Sequence, residues 1–331
     1  MNYSAILLTA CALLLPTVSQ AKEVTVQIWG STWQSLVEPA SKRFEEATGI
    51  KVNVVTQSTS GEGLAKLQAQ RNNPTVDVWF TTNSVAATAS KDEALFAKIP
   101  PAKVPNTAGL IPGSYNENWV AMYYYPIGII YDADAAPLKI SKWSDLWSPE
   151  VGKSIIAPSM SIYQGSLLMV ANQINGGTID NVDPGFEALE KLNKNVALYY
   201  TSDSQARQAF AQGEGKILIG QSAHYRRLKD EGLNVKLITP APAPMYFDVM
   251  MMLNGKNQEN AAKFINFIAS ESEQAALAKA EYMTPVHASV ELPKSLAETT
   301  PADDARMVLD DLKIADQISN WIARFEGIVS R

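Results

Sequence analysis

The sequence predicts an α/β protein built of two lobes with a cleft between them. Its 331 residues are enough for one large core or two medium ones, and two lobes are the more common solution at this length. Strand-like and helix-like patterns alternate along the chain, which is typical of mostly parallel sheets covered by helices on both faces. Two proline-containing stretches mark where the chain crosses between lobes.

The predicted elements follow one another in regular order. Strand patterns lie near 24–29, 51–57, 76–80, 120–131, 153–157, 196–201, 216–220, 234–239 and 246–253. Helical patterns lie near 34–48, 61–72, 83–91, 164–175, 184–194, 204–212, 222–231, 257–269 and 271–280, with two more after Pro301. Gly49 and Gly213 stand where a left-handed C-cap residue belongs, and Asp203 and Ser222 stand where an N-cap belongs.

The lobe boundaries are predicted from the two crossings. In residues 123–128 (YYYPIG) the proline interrupts a strand, because proline cannot donate to a central ladder. Residues 240–244 (PAPAP) later lead into a new strand. We therefore expect 22–125 plus about 249–300 to form the N-terminal lobe and 126–248 to form the C-terminal lobe. The C-terminal helices, in 301–331, are expected to pack across both lobes.

The N-terminus carries the pattern of a secretory signal peptide, residues 1–21. Residues 5–18 (AILLTACALLLPTV) are apolar, and Ser19-Gln20-Ala21 is a small-x-small cleavage pattern. We expect export to the periplasm with cleavage after Ala21, an uncleaved anchor being the alternative. Residues 8–11 (LTAC) faintly resemble a lipoprotein box, which would leave an acylated Cys11. Cys11 is the single cysteine, so cleavage after Ala21 excludes disulfides, thiolate metal sites and a cysteine nucleophile.

Charge and motif content argue against nucleic-acid binding and against catalysis. The formal net charge is −6, and no basic run is longer than Arg226-Arg227. The sequence has no nucleophile elbow, phosphate-binding glycine loop or HExxH motif. Its two histidines, His224 and His287, fit surface positions. The paired acids at 45–46, 303–304 and 310–311 fit solvated helix faces, so we expect no catalytic residues, no metal and no cofactor.

Hydroxyl, amide and aromatic side chains recur at the ends of the predicted strands, which parallel sheets bring to one edge. Capping explains several of the Ser, Thr and Asn residues, but no helix cap requires an indole or a phenol. Together with the tyrosine-rich crossing, they predict a small-molecule site formed by Trp29, Trp33, Ser60, Thr82, Asn83, Tyr124, Ser161, Tyr163, Gln221, Ser222, Tyr246 and Asp248.

Asp248 is the most unusual charge in the sequence. It is the only acid in the apolar run MYFDVMMML, and burying an unpaired carboxylate is costly. A ligand amine boxed by Trp29, Trp33 and Tyr246 would be a suitable partner, because each aromatic face attracts a cation by about 0.5–2 kcal/mol. The alternative partner is a lysine or arginine of the same lobe.

Several segments, in the same order, resemble the periplasmic solute-binding proteins of ABC importers: FEEATGIKVNVV, AKLQAQRNNPTVDVWF, ISKWSDLWSPEVGKSIIAPS and AAKFINFIASESEQAALAKAEYMTPV. The likeness runs from about Val24 to the C-terminal helices. It is greatest for the spermidine/putrescine-binding branch, whose relatives bind 2-aminoethylphosphonate, γ-aminobutyrate, thiamine or ferric ion. The resemblance implies a type 2 periplasmic-binding fold, whose two lobes close on the ligand about a hinge of crossing strands.

The resemblance also implies roles for the binding residues. Trp29 and Trp33 match an aromatic pair after the first strand of polyamine binders, with the second aromatic displaced by one residue. Residues 246–248 (YFD) match their Trp-x-Asp, with tyrosine in place of tryptophan. The turn at 161–163 (SIY) lacks the acids that hold further amines, and the turn GQSAHYRR lacks an aromatic that polyamine binders often carry. One preserved amine site therefore argues for a ligand other than a long polyamine.

A small zwitterion or amino compound is the preferred ligand, with its amine toward Asp248 and its anion toward Ser60, Asn83 or Ser222. Ferric ion is disfavoured, because Tyr225 stands alone where iron binders carry adjacent tyrosines. Alternatives are a binder of ferric ion, thiamine or a sugar derivative, and an exported enzyme on the same fold. Such an enzyme would need a nucleophile–base or metal constellation in the cleft.

The resemblance predicts a receptor that acts by binding and lobe closure, making and breaking no covalent bond. The expected partners are a small-molecule solute and the transmembrane subunits of an ABC permease, with a chemoreceptor as the alternative destination. We expect a monomer that binds no nucleic acid.

Overall fold

The computed structural model describes residues 23–135, 139–280 and 283–330, and the architecture below refers to those ranges. The predicted signal peptide and its Cys11 lie outside them. Among the helices of these ranges, none combines the length and the apolar composition needed to cross a membrane.

The described strands join in one 13-stranded sheet. Their bounds are β1 (Glu23–Trp29), β2 (Lys51–Gln57), β3 (Val78–Thr82), β4 (Phe96–Ala97), β5 (Tyr115–Asn116), β6 (Trp119–Asp132), β7 (Ile155–Pro158), β8 (Val196–Tyr200), β9 (Ile217–Gln221), β10 (Val235–Ile238), β11 (Ala243–Leu253), β12 (Thr284–Pro285) and β13 (Arg306–Val308). The main path runs β2-β1-β3-β11-β6-β9-β7-β8.

Two parallel strand sets flank an antiparallel centre. The first strand set is β1, β2 and β3, in which β1 pairs in parallel with both neighbours. The second strand set is β7, β8 and β9, in which β7 pairs in parallel with both neighbours. The long strands β6 and β11 lie between the sets and pair antiparallel with each other. Most of the buried side chains on these strands are aliphatic or aromatic, so the sheet forms the centre of the apolar core.

Strand β6 continues without a break from its pairing with β11 to its pairing with β9. Up to Pro126 its residues pair with β11, and from Ile127 onward they pair with β9. The prediction that Pro126 interrupts the strand is therefore wrong. The proline is tolerated because it lies where β6 exchanges one partner for the other. The crossing itself lies where the sequence predicts it, while the lobe boundaries at about 125 and 249 stay predictions.

The helices cover the sheet between the strands. Residues 30–37 form a short α-helix, α1 (Gly30–Thr32), and a π-helical turn (Trp33–Val37). The others are α2 (Glu38–Thr48), α3 (Ser60–Ala69), α4 (Asn83–Ala89), α5 (Ser166–Ile174), α6 (Asp183–Leu192), α7 (Asp203–Ala211), α8 (Ser222–Asp230), α9 (Gln258–Ile268), α10 (Glu271–Ala278), α11 (Lys294–Ala297) and α12 (Asp311–Val329). Gly49 and Gly213 adopt the left-handed conformation expected of them, with φ of 70° and 77°.

The prediction of two helices after Pro301 is wrong. Residues 303–305 form only a 3-10 turn, and Arg306–Val308 become β13, which pairs in parallel with Ala243–Met245 of β11. Helix α12 is the one long helix of this segment in the part of the chain that the structure describes. It forms an ion pair with Lys91 just beyond α4 through Asp316, and with Asp183 of α6 through Arg324.

Candidate ligand-binding cavity

A cavity of about 680 Å³ lies where the carboxyl ends of β1, β3 and β9 approach the middle of β6 and β11. The segments that follow β2 and β7 complete its wall. Of the predicted binding residues, those that line it are Trp29, Ser60, Thr82, Ser161, Tyr163, Gln221, Tyr246 and Asp248. The strand ends therefore meet in one place, and the binding roles of these residues stay predictions.

The other predicted binding residues do not line the cavity. Trp33 packs against the apolar core from the π-helical turn. Asn83 donates to Asp311 Oδ2 at 2.7 Å and accepts from the backbone N–H of Phe247 at 3.3 Å, so its amide is used inside the fold. Ser222 is buried at the first position of α8, and the preceding Gln221 reaches the cavity instead.

Tyr124, which the sequence predicts to bind the ligand, lies on the face of β6 that points away from the cavity. Successive strand residues point to opposite faces, so Tyr123 and Tyr125 share the cavity face and Tyr124 does not. Tyr124 instead contacts Phe247, with ring centroids 6.1 Å apart, and Arg306 lies 5.7 Å from its ring centroid.

Asp248 is buried in the cavity wall, at 8% exposure, on the same face of β11 as Tyr246. The Tyr123 hydroxyl donates to Asp248 Oδ2, while Oδ1 has no hydrogen-bond partner among the described residues. Burial raises the pKa of Asp248 to about 7, and the Tyr123 hydrogen bond opposes this rise while the charge of Asp203 adds to it. A carboxylate held in this way lacks a cationic partner from the described part of the chain.

Asp203 supplies a second carboxylate that the sequence reasoning missed. Ser202 is the N-cap of α7, accepting from the backbone N–H of Gln205 at 3.2 Å, so the side chain of Asp203 is free to face the cavity. Its Oδ1 accepts from the Tyr163 hydroxyl at 2.7 Å, and its Oδ2 accepts from Gln221 Nε2 at 2.6 Å. The signal was present in the sequence, because a serine directly before an aspartate is an equally good cap.

Desolvation raises the pKa of Asp203, but the hydrogen bond and charge of His224, together with the hydrogen bonds to Tyr163 and Gln221, outweigh that effect and hold the pKa below its usual value. The carboxylate is therefore charged at neutral pH. His224 Nε2 lies 3.2 Å from Asp203 Oδ1, and the ring is 1% exposed. The prediction that His224 lies at the surface is wrong, because its face of α8 packs on the sheet together with Leu228.

A family model for bacterial extracellular solute-binding proteins matches residues 40–304. The chain belongs to this family. This solute-binding protein is 25% identical over 280 residues to the spermidine/putrescine-binding periplasmic protein of Salmonella typhimurium, across 81% of this chain and 79% of the relative. It is 24% identical over 325 residues to the gamma-aminobutyric acid-binding protein of Pseudomonas aeruginosa, across 92% of this chain and 89% of the relative.

The fold of the solute-binding protein is shared with solved structures. The crystal structure of an ABC transporter protein from Clostridium perfringens superposes with a TM-score of 0.81 at 23% identity, covering 92% of this chain and 99% of that one. The prediction of a two-lobed α/β solute-binding fold is thereby confirmed.

Aromatic rings form much of the cavity wall in this solute-binding protein. Tyr125 and Tyr246 are stacked with centroids 6.1 Å apart, and Tyr163 lies 5.6 Å from Tyr246. The Tyr246 hydroxyl donates to the carbonyl of Tyr163. Tyr163 and Gln164 both adopt positive φ, 50° and 40°, in a region that non-glycine residues rarely occupy. The turn after β7 is thus held in an unusual conformation that directs Tyr163 into the site.

The charge of the cavity is negative. Asp203 and Asp248 line it, and none of the described lining residues is Lys, Arg or His. Across the described ranges, no group of three or more His, Cys, Asp and Glu side chains has the arrangement of a metal site. The arrangement suits an organic cation, because it combines two carboxylates with aromatic rings that attract cations and with hydroxyls that accept hydrogen bonds from N–H groups.

Proposed function

We propose that this solute-binding protein captures a small organic cation with two ammonium groups and delivers it to the permease of an ABC importer. The observation that carries the proposal is the pair of carboxylates, Asp203 and Asp248, in one cavity lined by no described cationic side chain. Two of the relatives are named for spermidine and putrescine or for γ-aminobutyrate, which are all amines, while another is named an iron uptake protein.

The first ammonium group is placed at Asp248. Its Oδ1 lacks a partner among the described residues, and a charge-assisted hydrogen bond there is worth about 1.5–3 kcal/mol. Trp29, Tyr125 and Tyr246 lie around the same cavity, so the cation also contacts aromatic faces. Ligand binding then supplies the charge partner that the buried carboxylate lacks.

The second ammonium group is placed at Asp203, across the cavity. This position changes the ligand preference stated from the sequence, which has an anion facing Ser60, Asn83 or Ser222. Asn83 and Ser222 do not line the cavity, so only Ser60 of that set remains available. A ligand carboxylate would also meet two like charges, which is unfavourable in a partly desolvated site.

The cellular role completes the proposal. The leader of residues 1–21 would direct export to the periplasm with cleavage after Ala21, and the two lobes would close on the bound cation. The closed, monomeric form would then dock on the transmembrane subunits of the permease, with a chemoreceptor as the alternative destination. The protein would act by binding alone and would not be an enzyme.

The test is a calorimetric ranking of ligands on the chain from Lys22 onward. Putrescine should bind at least about tenfold more tightly than γ-aminobutyrate, and more tightly than n-pentylamine, in which a methyl group replaces the second ammonium. Putrescine at a hundred times its dissociation constant should also raise the free energy of unfolding by about 2.7 kcal/mol. Tighter binding of γ-aminobutyrate, or a response only to sugars or iron, would overturn the diamine proposal.

A further inference from the structure

His224 lies directly behind Asp203 and does not line the cavity. Its Nε2 is 3.2 Å from Asp203 Oδ1 and 3.1 Å from the Tyr163 hydroxyl, and its Nδ1 has no hydrogen-bond partner among the described residues. A fully buried imidazole that contacts a ligand-facing carboxylate from the rear has no part in the function proposed above. It does, however, contact the carboxylate at which the second ammonium is proposed to bind.

We propose that His224 is a positioning residue that sets the strength of the second ammonium site by changing the charge that Asp203 presents to the cavity. The proposal rests on the proposed function. With a neutral imidazole, Asp203 faces the cavity with its full negative charge. With an imidazolium, the buried ring and the partly exposed carboxylate form an ion pair whose net charge is zero, and the second ammonium loses its counter-charge.

The geometry makes this effect large. Opposite charges in contact at a partly desolvated site attract each other more strongly than they do in bulk water. The imidazolium would act on the ligand ammonium through the charge of the carboxylate, because it contacts Oδ1 while Gln221 fills only one acceptor position of Oδ2. The Tyr163 hydroxyl also donates to Oδ1, so the acceptor position that remains for the ligand ammonium is on Oδ2.

The other titratable groups near the ring do not offer an equivalent partner. Tyr163 touches Nε2, and the ring of Tyr200 on β8 lies edge-on with its centroid 6.5 Å from that of His224. Burial raises the pKa of both tyrosines well above the usual value, so both stay neutral.

The remaining elements packed against α8 bring few charges to it. Strand β9 contains no titratable residue, and on β10 Lys236 is exposed to solvent. On α7 Arg207 is half-buried, and on β6 Tyr131 and Asp132 are half-buried. Among the described residues, Asp203 is the acid that forms an ion pair with His224.

The experiment measures the dissociation constant of putrescine at about pH 8 and about pH 5.5 by calorimetry, for the wild type and for His224→Gln. Glutamine can still donate a hydrogen bond to Asp203 but never carries a charge. Asp248 titrates in both proteins, so the comparison isolates the histidine. Acidification should weaken binding to the wild type by at least about tenfold more than binding to His224→Gln, whatever the variant's affinity at pH 8. His287→Gln is the matched control and should keep the wild-type ratio.

A second measurement uses the wild type alone. The chain has two histidines, so NMR of ring-labelled histidine gives two signals, and His287→Gln assigns them. Saturation with putrescine should move the titration midpoint of the His224 signal to lower pH by about one unit or more, because the second ammonium disfavours the imidazolium. The His287 signal should not move. This measurement decides the matter if His224→Gln is too unstable to study.

The outcomes separate the two proposals. Putrescine binding with equal acid sensitivity in wild type and His224→Gln, or an unmoved His224 signal, overturns the role of His224 and leaves the proposed function standing. A wild type that does not bind putrescine at pH 8 overturns the proposed function, and the role of His224 falls with it.

Discussion

At the scale of single residues, Asp248 lies directly opposite Tyr123 in the ladder between β6 and β11, and the Tyr123 hydroxyl donates to its Oδ2. Both side chains are anchored by long strands, so the carboxylate is oriented before any ligand arrives. Little side-chain entropy remains to be lost on binding, which favours affinity. The same burial raises the pKa of Asp248 to about 7, so the site gains strength as the pH rises through neutrality.

Asp248→Asn should weaken putrescine binding by at least about tenfold, or 1.4 kcal/mol, because the amide carries no charge to pair with the ammonium. Isothermal calorimetry at pH 8 measures the change, and circular dichroism checks that the fold is kept. Asp304→Asn, an exposed acid outside the cavity, is the matched control and should bind like the wild type. An unchanged dissociation constant for Asp248→Asn would remove this residue from the site.

The sequence predicted part of the site because some signals are local. Asp248 is conspicuous as the lone acid of an apolar strand. Tyr246 lies two residues earlier and therefore shares its face of the strand, because successive strand residues alternate between faces. Three consecutive tyrosines at 123–125 do not reveal which of them face the cavity, so the sequence alone does not separate Tyr124 from its two cavity-lining neighbours. The position of Asp203 at the start of a helix predicts a cap, but Ser202 takes that role and Asp203 lines the cavity. The burial of His224 depends on how α8 packs on the sheet, which its own sequence does not specify.

At the scale of elements, helix α7 connects stability to binding. Ser202 caps the helix by accepting from the backbone N–H of Gln205, and Gln205 Oε1 accepts in return from the N–H of Thr201. These two hydrogen bonds fix the first turn of the helix. Asp203 directly follows the capping residue Ser202 and lines the cavity. The position of the second carboxylate therefore depends on a helix cap.

Ser202→Ala should lower the free energy of unfolding by about 1 kcal/mol and also weaken putrescine binding, because the loosened first turn no longer holds Asp203. Ser270→Ala is the matched control, since Ser270 caps α10 by accepting from the N–H of Glu273 at 3.4 Å and lies away from the cavity. It should lose similar stability and no affinity. Denaturant unfolding and calorimetry on both variants provide the comparison, and equal affinities would show that Asp203 is held by other contacts.

Most elements were predicted within about two residues, because their apolar periods and caps are properties of the local sequence. The failures have non-local causes. Residues 306–308 form a strand only because β11 offers an edge for parallel pairing, and that partner lies more than fifty residues earlier in the chain. The continuity of β6 through Pro126 likewise depends on a change of partner that the strand's own residues do not reveal.

At the scale of the whole molecule, α12 joins distant parts of the chain through one buried acid. Asp311 begins this helix and accepts from Asn83 Nδ2, so the helix is docked on the amino end of α4. The prediction that Asp310 and Asp311 form a solvated pair is wrong for Asp311, which is 8% exposed. Burial raises its pKa to about 7, the Asn83 hydrogen bond opposes the rise, and the charge of Asp310 adds to it.

Stability should fall as the pH rises from about 4 to 7. In this window the folded protein keeps the Asp311 proton that the unfolded chain, with an aspartate pKa near 3.9, has already lost. Between pH 5 and 8 the wild type should therefore lose about 2–3 kcal/mol more unfolding free energy than Asp311→Asn. Asp248 titrates in both proteins, so its contribution to the unfolding free energy cancels in this comparison. Urea unfolding at both pH values measures this difference, and parallel losses would contradict a raised pKa at Asp311.

The uninterrupted passage of β6 has a consequence for how ligand preference can change during evolution. The residues of β6 that line the cavity, Tyr123 and Tyr125, lie within three residues of Pro126, where the strand changes partner. A substitution selected for a longer or shorter cation at these positions therefore also alters the joint between the two strand sets. A substitution that changes which ligand binds is therefore expected to change the arrangement of the two strand sets as well. Keeping that arrangement would require compensating substitutions on β11.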